Sequence, residues 1–401
     1  MKSRDTALGG ILLLAIAAGI AGFTWAGDRL FDGQTVAGPP EIVSVGAMNI
    51  PRGDHTAVLL NDGRVLVLGG GDGETISYVT AEIYDPVVRT WERAPLLGSP
   101  RRDHRSLVLP DGRVLSTGGL DQFGVTFTAE LFDPSTGIVD SGIGMRVQRA
   151  LHSITQLRDG RVLVAGGMNG TAPSPFTDLL DPASGRFGAG PDLGGARAWH
   201  TATLLADGRV MMAGGSGFGI IRQSVEVFDP ASETFEVLAS LKDGRFVHTA
   251  TLIPDGRVVV VGGQETIEVF DSVEIYDPRT NIWSNGAPMP IKRSQHTATL
   301  LPDGRIMVAG GFNAGGSLDS VEIYDPLKDT WTSAGTLAKA RGRHTATLLN
   351  DGSVLIVGGI DDTPISTPGI VDLSGRPRAE AELFFPNGAP AELRAAVAEP
   401  R

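Results

Sequence analysis

The sequence predicts an all-β protein, a seven-bladed β-propeller of four-stranded antiparallel blades, and three observations lead there. All seven histidines occupy one position of a repeat: His55, His104, His152, His200, His248, His296 and His344 are spaced by 49 residues once and by 48 thereafter. Each histidine also carries the same frame. An arginine stands three residues before it (Arg52, Arg101, Arg149, Arg197, Arg245, Arg293, Arg341), Asp-Gly follows from Asp62-Gly63 to Asp351-Gly352, and Gly-Gly from Gly69-Gly70 to Gly358-Gly359. Finally, the apolar runs are short and rich in β-branched residues, and no stretch after residue 30 keeps a helical period. A unit of four short strands with two apolar faces cannot bury itself alone. Stacked radially, each copy covers its neighbours.

The unit at His296 shows each element in turn. Residues 296–301 form strand a. Pro302-Asp303-Gly304 is a hairpin turn, and proline at its first position suits a type I turn with the glycine left-handed at a bulge. Residues 305–309 form strand b, ended by Gly310-Gly311. Residues 320–324 form strand c, ended by Asp325-Pro326, where proline forbids further ladder pairing. Trp331 opens strand d, and Trp91, Val139, Phe187, Phe235 and Trp283 take that place in other units. Strands b and c read as nearly continuous apolar runs, as expected when both sheet faces are covered. Residues 41–54 align with the segment before each later histidine: Ile42 precedes His55 as Trp91 precedes His104. The chain thus begins with a strand d that has no blade of its own, while the seventh unit ends at Phe385-Pro386 without one. The N-terminal strand is expected to complete the last blade and lock the ring, so a monomer suffices.

The double glycine after a hydrophobic strand, the aromatic-Asp-Pro end of the third strand and the tryptophan of the fourth resemble the Kelch repeat. The segment at 296–311 (HTATLLPDGRIMVAGG) is similar to its bacterial branch, with the central domain of galactose oxidase as a distant relative. The resemblance covers roughly residues 40–387. It implies a propeller, and since such propellers serve as enzymes, sugar binders and docking platforms, it leaves function open.

Composition and termini narrow the class. Residues 1–27 read as a membrane anchor or signal peptide, 28–40 as a linker, 41–387 as the propeller and 388–401 as a tail. Residues 7–26 are uncharged and mostly apolar behind a basic start (Met1-Lys2-Ser3-Arg4), long enough to span a bilayer. The expectation is a single-pass cell-membrane protein with its propeller outside the cytoplasm; secretion or a periplasmic location after cleavage near Ala26 is the alternative. A net charge of −12 without a basic run argues against nucleic acid as a partner. There is no cysteine, hence no disulfide, thiolate metal site or thiol nucleophile. The copper-radical chemistry of galactose oxidase, which needs a cysteine cross-linked to tyrosine, is excluded. Tyr84, Tyr276 and Tyr324 are repeat aromatics, leaving only Tyr78. No histidine pair has zinc-helix spacing, so no metal and no cofactor are expected.

Arg, His and an acidic residue of strand c (Glu82, Glu130, Asp178, Glu226, Glu274, Glu322 or Glu382) fall at one level of every unit. Sevenfold repetition marks them as a buried structural network, in which arginine meets a carboxylate that could not stay unpaired. Function is expected where units differ: in the b–c loops after Gly-Gly and the d–a loops before the arginine, which should share one face. Asp72, Phe123, Asn169, Phe218, Asn313 and Asp361 are the candidate contacts. Blade 7 carries an insertion within 360–381, and Arg105, Trp199 and Phe246 depart from the repeat. With no acid–base pair legible, the reading is non-catalytic binding of a protein or glycan through the b–c loop face. The alternative is a carbohydrate-active enzyme such as a sugar mutarotase or epimerase, which would need two titratable groups at the channel mouth with pKa values pushed apart.

Overall fold

The structure, a computed structural model, describes residues 38–362, 365–367, 370–372, 375–390 and 393. Seven four-stranded antiparallel sheets make the blades. In blade 1 the order is strand a Thr56–Leu59, b Val65–Leu68, c Ala81–Asp85 and d Thr90–Ala94. Strand b is buried along its whole length in every blade, whereas strand d alternates between exposed and covered. The core therefore lies between blades. One cluster joins Val65, Val67 and Tyr84 of blade 1 to Leu355, Val357 and Leu383 of blade 7. The seven strands a lie side by side around a central channel.

Ring closure follows the sequence alignment. Glu41–Ala47 pairs antiparallel with Glu380–Phe385 as the outer strand of blade 7, with Ile42 opposite Phe384 just as Trp91 lies opposite Tyr84. First and last segments of the propeller thus share one sheet, and hydrogen bonds rather than loop packing shut the ring. The hairpin turns also form as read: Gly304 N donates to Leu301 O at 2.9 Å, Leu301 N to Arg305 O at 2.8 Å, and Gly304 has φ +86°.

The Arg, His and acidic residues separate into two systems. Each arginine is fully buried and pairs with the acid of its own blade: Arg52–Glu82 at 2.9 Å, Arg245–Glu274 at 2.5 Å and Arg341–Glu382 at 3.0 Å are examples, with Arg293–Glu322 alike. The same guanidinium donates to the first glycine carbonyl of Gly-Gly, as Arg52 Nη1 does to Gly69 O at 2.6 Å. The carboxylate also accepts backbone N–H groups of the d–a loop, Asn49 N to Glu82 at 2.7 Å among them. The histidines instead link blades. His104 Nε2 lies 2.9 Å from the Thr56 hydroxyl of the preceding blade, His296 Nε2 3.0 Å from Thr249 and His344 Nε2 2.9 Å from Thr297. Double glycine is needed because a Cβ on Gly69 would sit 2.4 Å from Arg101 O and 2.8 Å from His104 Cε1.

Two expectations about the termini need correction or stand outside the structure. No helix among the described residues is long and apolar enough to cross a membrane. The anchored, single-pass topology, with the membrane as a partner and the cell membrane as location, finds no support among the described residues and is not carried further. Residues 7–26, on which it rested, lie outside the described residues, as do most of 388–401. The blade 7 insertion is described in part: Ile360–Asp361 pairs with Arg376–Pro377, and Ile365–Thr367 with Ile370–Asp372, as a stacked hairpin extension.

Candidate active site

The d–a and b–c loops meet on one face. Single antiparallel bridges join them in every blade, from Gly53–Gly71 and Arg102–Leu120 to Gly342–Ile360. Between each bridge and its histidine stands one residue: Asp54, Asp103, Leu151, Trp199, Val247, Gln295 or Arg343. These seven form a closed belt of backbone hydrogen bonds around the channel mouth. Asp103 N donates to Asp54 O at 3.0 Å, Leu151 N to Asp103 O at 3.1 Å, Trp199 N to Leu151 O at 3.1 Å and Val247 N to Trp199 O at 3.2 Å. Gln295 N donates to Val247 O at 3.0 Å, Arg343 N to Gln295 O at 3.1 Å, and Asp54 N to Arg343 O at 3.4 Å. All seven take a left-handed backbone, with φ from +49° at Val247 to +58° at Leu151. Non-glycine residues adopt that region at a cost, which the belt's hydrogen bonds offset.

The side chains on the belt divide the mouth in two. Blades 3 to 5 contribute Leu151, Trp199 and Val247, and Phe246 packs on Trp199 with ring centroids 5.9 Å apart. Blades 6, 7, 1 and 2 contribute Gln295, Arg343, Asp54 and Asp103. Arg343 Nε donates to Gln295 Oε1 at 2.6 Å, and its Nη1 lies 3.6 Å from Asp54. Arg102 is held aside by the Thr75 carbonyl and the Ser77 hydroxyl, each at 2.9 Å. Arg105 sits one residue beyond His104, at the top of strand a, where five other units have threonine.

Electrostatics separates the two aspartates from ordinary surface carboxylates. Burial raises the Asp103 carboxyl to about 7, with the charge of Asp54 adding to the rise and Arg105, Arg343 and Arg102 opposing it. Burial raises Asp54 as well, against Arg343 and Arg102. Two like charges in a confined site favour holding one proton between them. The histidines are not alternatives. Burial, reinforced by Arg52, Arg245 and Arg341, lowers His55, His248 and His344 to about 3, so they are neutral imidazoles at physiological pH.

The six candidate contacts read from the sequence do not converge. They lie one to a blade, on six b–c loops. Asp72 accepts the N–H groups of Glu74, Thr75 and Ile76 at 2.9–3.0 Å and so shapes its own loop; Asn313 likewise accepts Gly315 N at 2.8 Å. Asp361 takes Ser317 Oγ at 3.1 Å and pairs with Arg378. Asn169 lies in the short hairpin Met168–Asn169 with Ala172–Pro173. Phe123 and Phe218 stand 89% and 70% exposed, ready for contact but far from enclosed. Sequence reasoning noticed Trp199, Phe246 and Arg105 but missed Asp54 and Asp103. The available signal was the place just before each histidine, which holds six residue types in seven units inside an otherwise repeated frame.

Comparison with known proteins agrees with this architecture. A KLHDC2/KLHL20/DRC7 Kelch-repeats domain model matches residues 199–372, and a Kelch motif model matches residues 52–95. The chain is a Kelch-repeat β-propeller. Among solved structures, this propeller is similar to a fungal alcohol oxidase of the AA5 family in complex with copper. Identity is 16%, the TM-score is 0.68, and 88% of this chain and 76% of the oxidase are covered. It is also similar to YjhT, at 15% identity and a TM-score of 0.58 over 72% of this chain and 99% of that one. No curated protein matches the chain in sequence. Copper does not fit here: the chain has no cysteine, and among the described residues no three His, Asp or Glu side chains gather as a metal site.

The expectation of binding without turnover is corrected by the mouth. It rested on the absence of any acid–base pair, and the closed ring sets Asp54 and Asp103 of blades 1 and 2 at neighbouring belt positions with both carboxyls raised by burial.

Proposed function

We propose that this propeller is a carbohydrate-active enzyme of the mutarotase or epimerase type, working by proton transfer at the channel mouth. The carrying observation is Asp103, a half-buried carboxyl raised to about 7 beside Asp54, on the same belt as Leu151, Trp199 and Val247. Pyranoses are amphiphilic, with C–H groups that lie on an aromatic face and hydroxyls for polar neighbours. In this reading Trp199, braced by Phe246, receives the apolar face of the ring, and Gln295 and Arg343 meet hydroxyl oxygens.

Ring opening needs one base and one acid at once. The ionised carboxyl takes the proton of the anomeric hydroxyl while the protonated one gives a proton to the ring oxygen as the C1–O5 bond breaks. Rotation about C1–C2 and the reverse transfers close the ring on the other face. Atoms and electrons balance within the sugar, and a carboxyl poised near neutral pH serves both directions. The b–c loops, with Phe123 and Phe218 at their tips, would form the outer wall that meets longer substrates.

The test is exchange spectroscopy of anomers by NMR, with the full chain and a panel of aldoses, ketoses and uronic acids. We expect at least one sugar to interconvert faster than in buffer, and D103N to lower that rate by about 10²-fold or more. A panel with no acceleration, or D103N as active as the parent, sinks the proposal.

A further inference from the structure

Blade 2 breaks the histidine belt and repairs it in the same stroke. In the other six blades a hydroxyl at the first position of strand a binds the next blade's histidine: Thr56, Ser153, Thr201, Thr249, Thr297 and Thr345 bind at 2.8–3.1 Å. In blade 2 that position is Arg105, which offers no acceptor. His152 Nε2 instead lies 2.8 Å from the hydroxyl of Thr117. Thr117 is the cross-strand neighbour of Arg105 in the a–b ladder. The matching residues elsewhere are Leu68, Ala165, Ala213, Val261, Ala309 and Val357, none of which carries a hydroxyl. The hydroxyl has moved one strand outward, and the place it vacated holds a guanidinium.

That guanidinium is under-used. Its hydrogen bond is Nη1 to His104 O at 3.0 Å; Asp103 and Asp54 act on it electrostatically, but among the described residues no carboxylate lies in ion-pair contact with it. Arg105 acts electrostatically on His152 and His200 as well as on its own blade's His104, so its charge is felt around the channel toward blades 3 and 4, on the side of Trp199. A cation with most of its donors unfilled, one residue beyond His104 at the channel mouth, is built for an oxyanion: guanidinium matches carboxylate and phosphate in a planar, bidentate way.

We propose that Arg105 is an oxyanion subsite that selects ligands carrying a carboxylate or phosphate group, with the rest of the ligand held at the mouth above it. That the ligand is a sugar rests on the proposed function; the anion subsite does not. The chain can be titrated calorimetrically, at constant ionic strength, with glucose, glucuronate, glucose 6-phosphate and inorganic phosphate. R105T is the test variant because it restores the residue found in five other units, so the ring should fold. R279Q, at an exposed arginine on the outer Asp-Pro turn, controls for surface charge.

We expect at least one anion to bind the parent and the R279Q variant, and to lose tenfold or more in affinity in R105T. Preference for glucuronate or for the phosphates tells which oxyanion is meant. Equal anion affinity in parent and R105T, equal loss in R279Q, or no anion binding at all overturns the subsite. The two readings fail separately. Anomer exchange lost in D103N with no anion effect of R105T leaves an enzyme without this subsite. An R105T-dependent anion site without anomer exchange leaves the subsite and removes the mutarotase.

Discussion

The exchange of roles between Arg105 and Thr117 can be measured as a coupling. Thr117 is fully buried, and T117V keeps its shape while removing the hydroxyl that His152 Nε2 contacts at 2.8 Å. The imidazole nitrogen is then left in the protein interior with no partner, which costs about 1–3 kcal/mol. With a urea m-value of about 3 kcal/mol/M, 2 kcal/mol lowers the unfolding midpoint by about 0.7 M. R105T returns a hydroxyl to the position from which Thr56, Thr201 and Thr297 serve their neighbours. In that background T117V should cost less than about 0.5 kcal/mol, giving a coupling of about 1.5 kcal/mol in the double-mutant cycle. Urea melts followed by tryptophan fluorescence measure all four corners. If T117V costs the same with arginine or threonine at 105, the two positions do not share one duty, and the argument that blade 2 was rebuilt to free Arg105 fails.

Further outcomes follow from the same structure. Removing residues 38–48 deletes the outer strand of blade 7 and should lower the midpoint of thermal unfolding by well over 5 °C; a truncated chain that melts like the parent would show that Glu41–Ala47 does not fasten the ring. The histidines have folded pKa values held down by burial, three of them to about 3, against about 6.5 in an unfolded chain. Their contribution to stability is therefore complete above pH 6.5 and is lost as pH falls from there toward 3, at up to about 1.4 kcal/mol per pH unit for each group. Urea midpoints that stay flat between pH 7 and pH 5 would contradict neutral, buried imidazoles. Asp103 has the opposite sign: its folded pKa is raised, so ionisation opposes folding as pH rises from about 4 to about 7. D103N should therefore be more stable than the parent at pH 8, by about 1–2 kcal/mol once solvent screening of a half-buried site is allowed for, and D103N less stable there would mean the carboxylate is a structural ion.

The repeat made the fold legible before any coordinates. Each unit is a local object whose turn, strand ends and glycines are fixed by nearest neighbours in sequence. Seven aligned copies therefore specify blade number, strand order and even the pairing of Ile42 with the last blade. The arginine–acid pairs were legible too, because a carboxylate repeated on a buried strand demands a partner within its own unit. The histidines were assigned to that network wrongly. Their partners are hydroxyls of the preceding blade, and a contact across blades leaves no mark in the spacing of one unit.

The residues of the proposed site belong to the tertiary structure. Asp54 and Asp103 are 49 residues apart, and Arg343 lies 289 residues from Asp54, yet the closed ring makes all three neighbours at the mouth. Read singly, each is an unremarked polar loop residue beside a histidine. The raised carboxyl of Asp103 exists only because the closed channel withholds water from it and sets Asp54 beside it, and neither condition is local to the chain. The sequence determined the blade and its repetition, since those rest on short-range backbone chemistry. Closure decided which of the seven variable positions become neighbours at the mouth, because belt contacts run between blades and not within one.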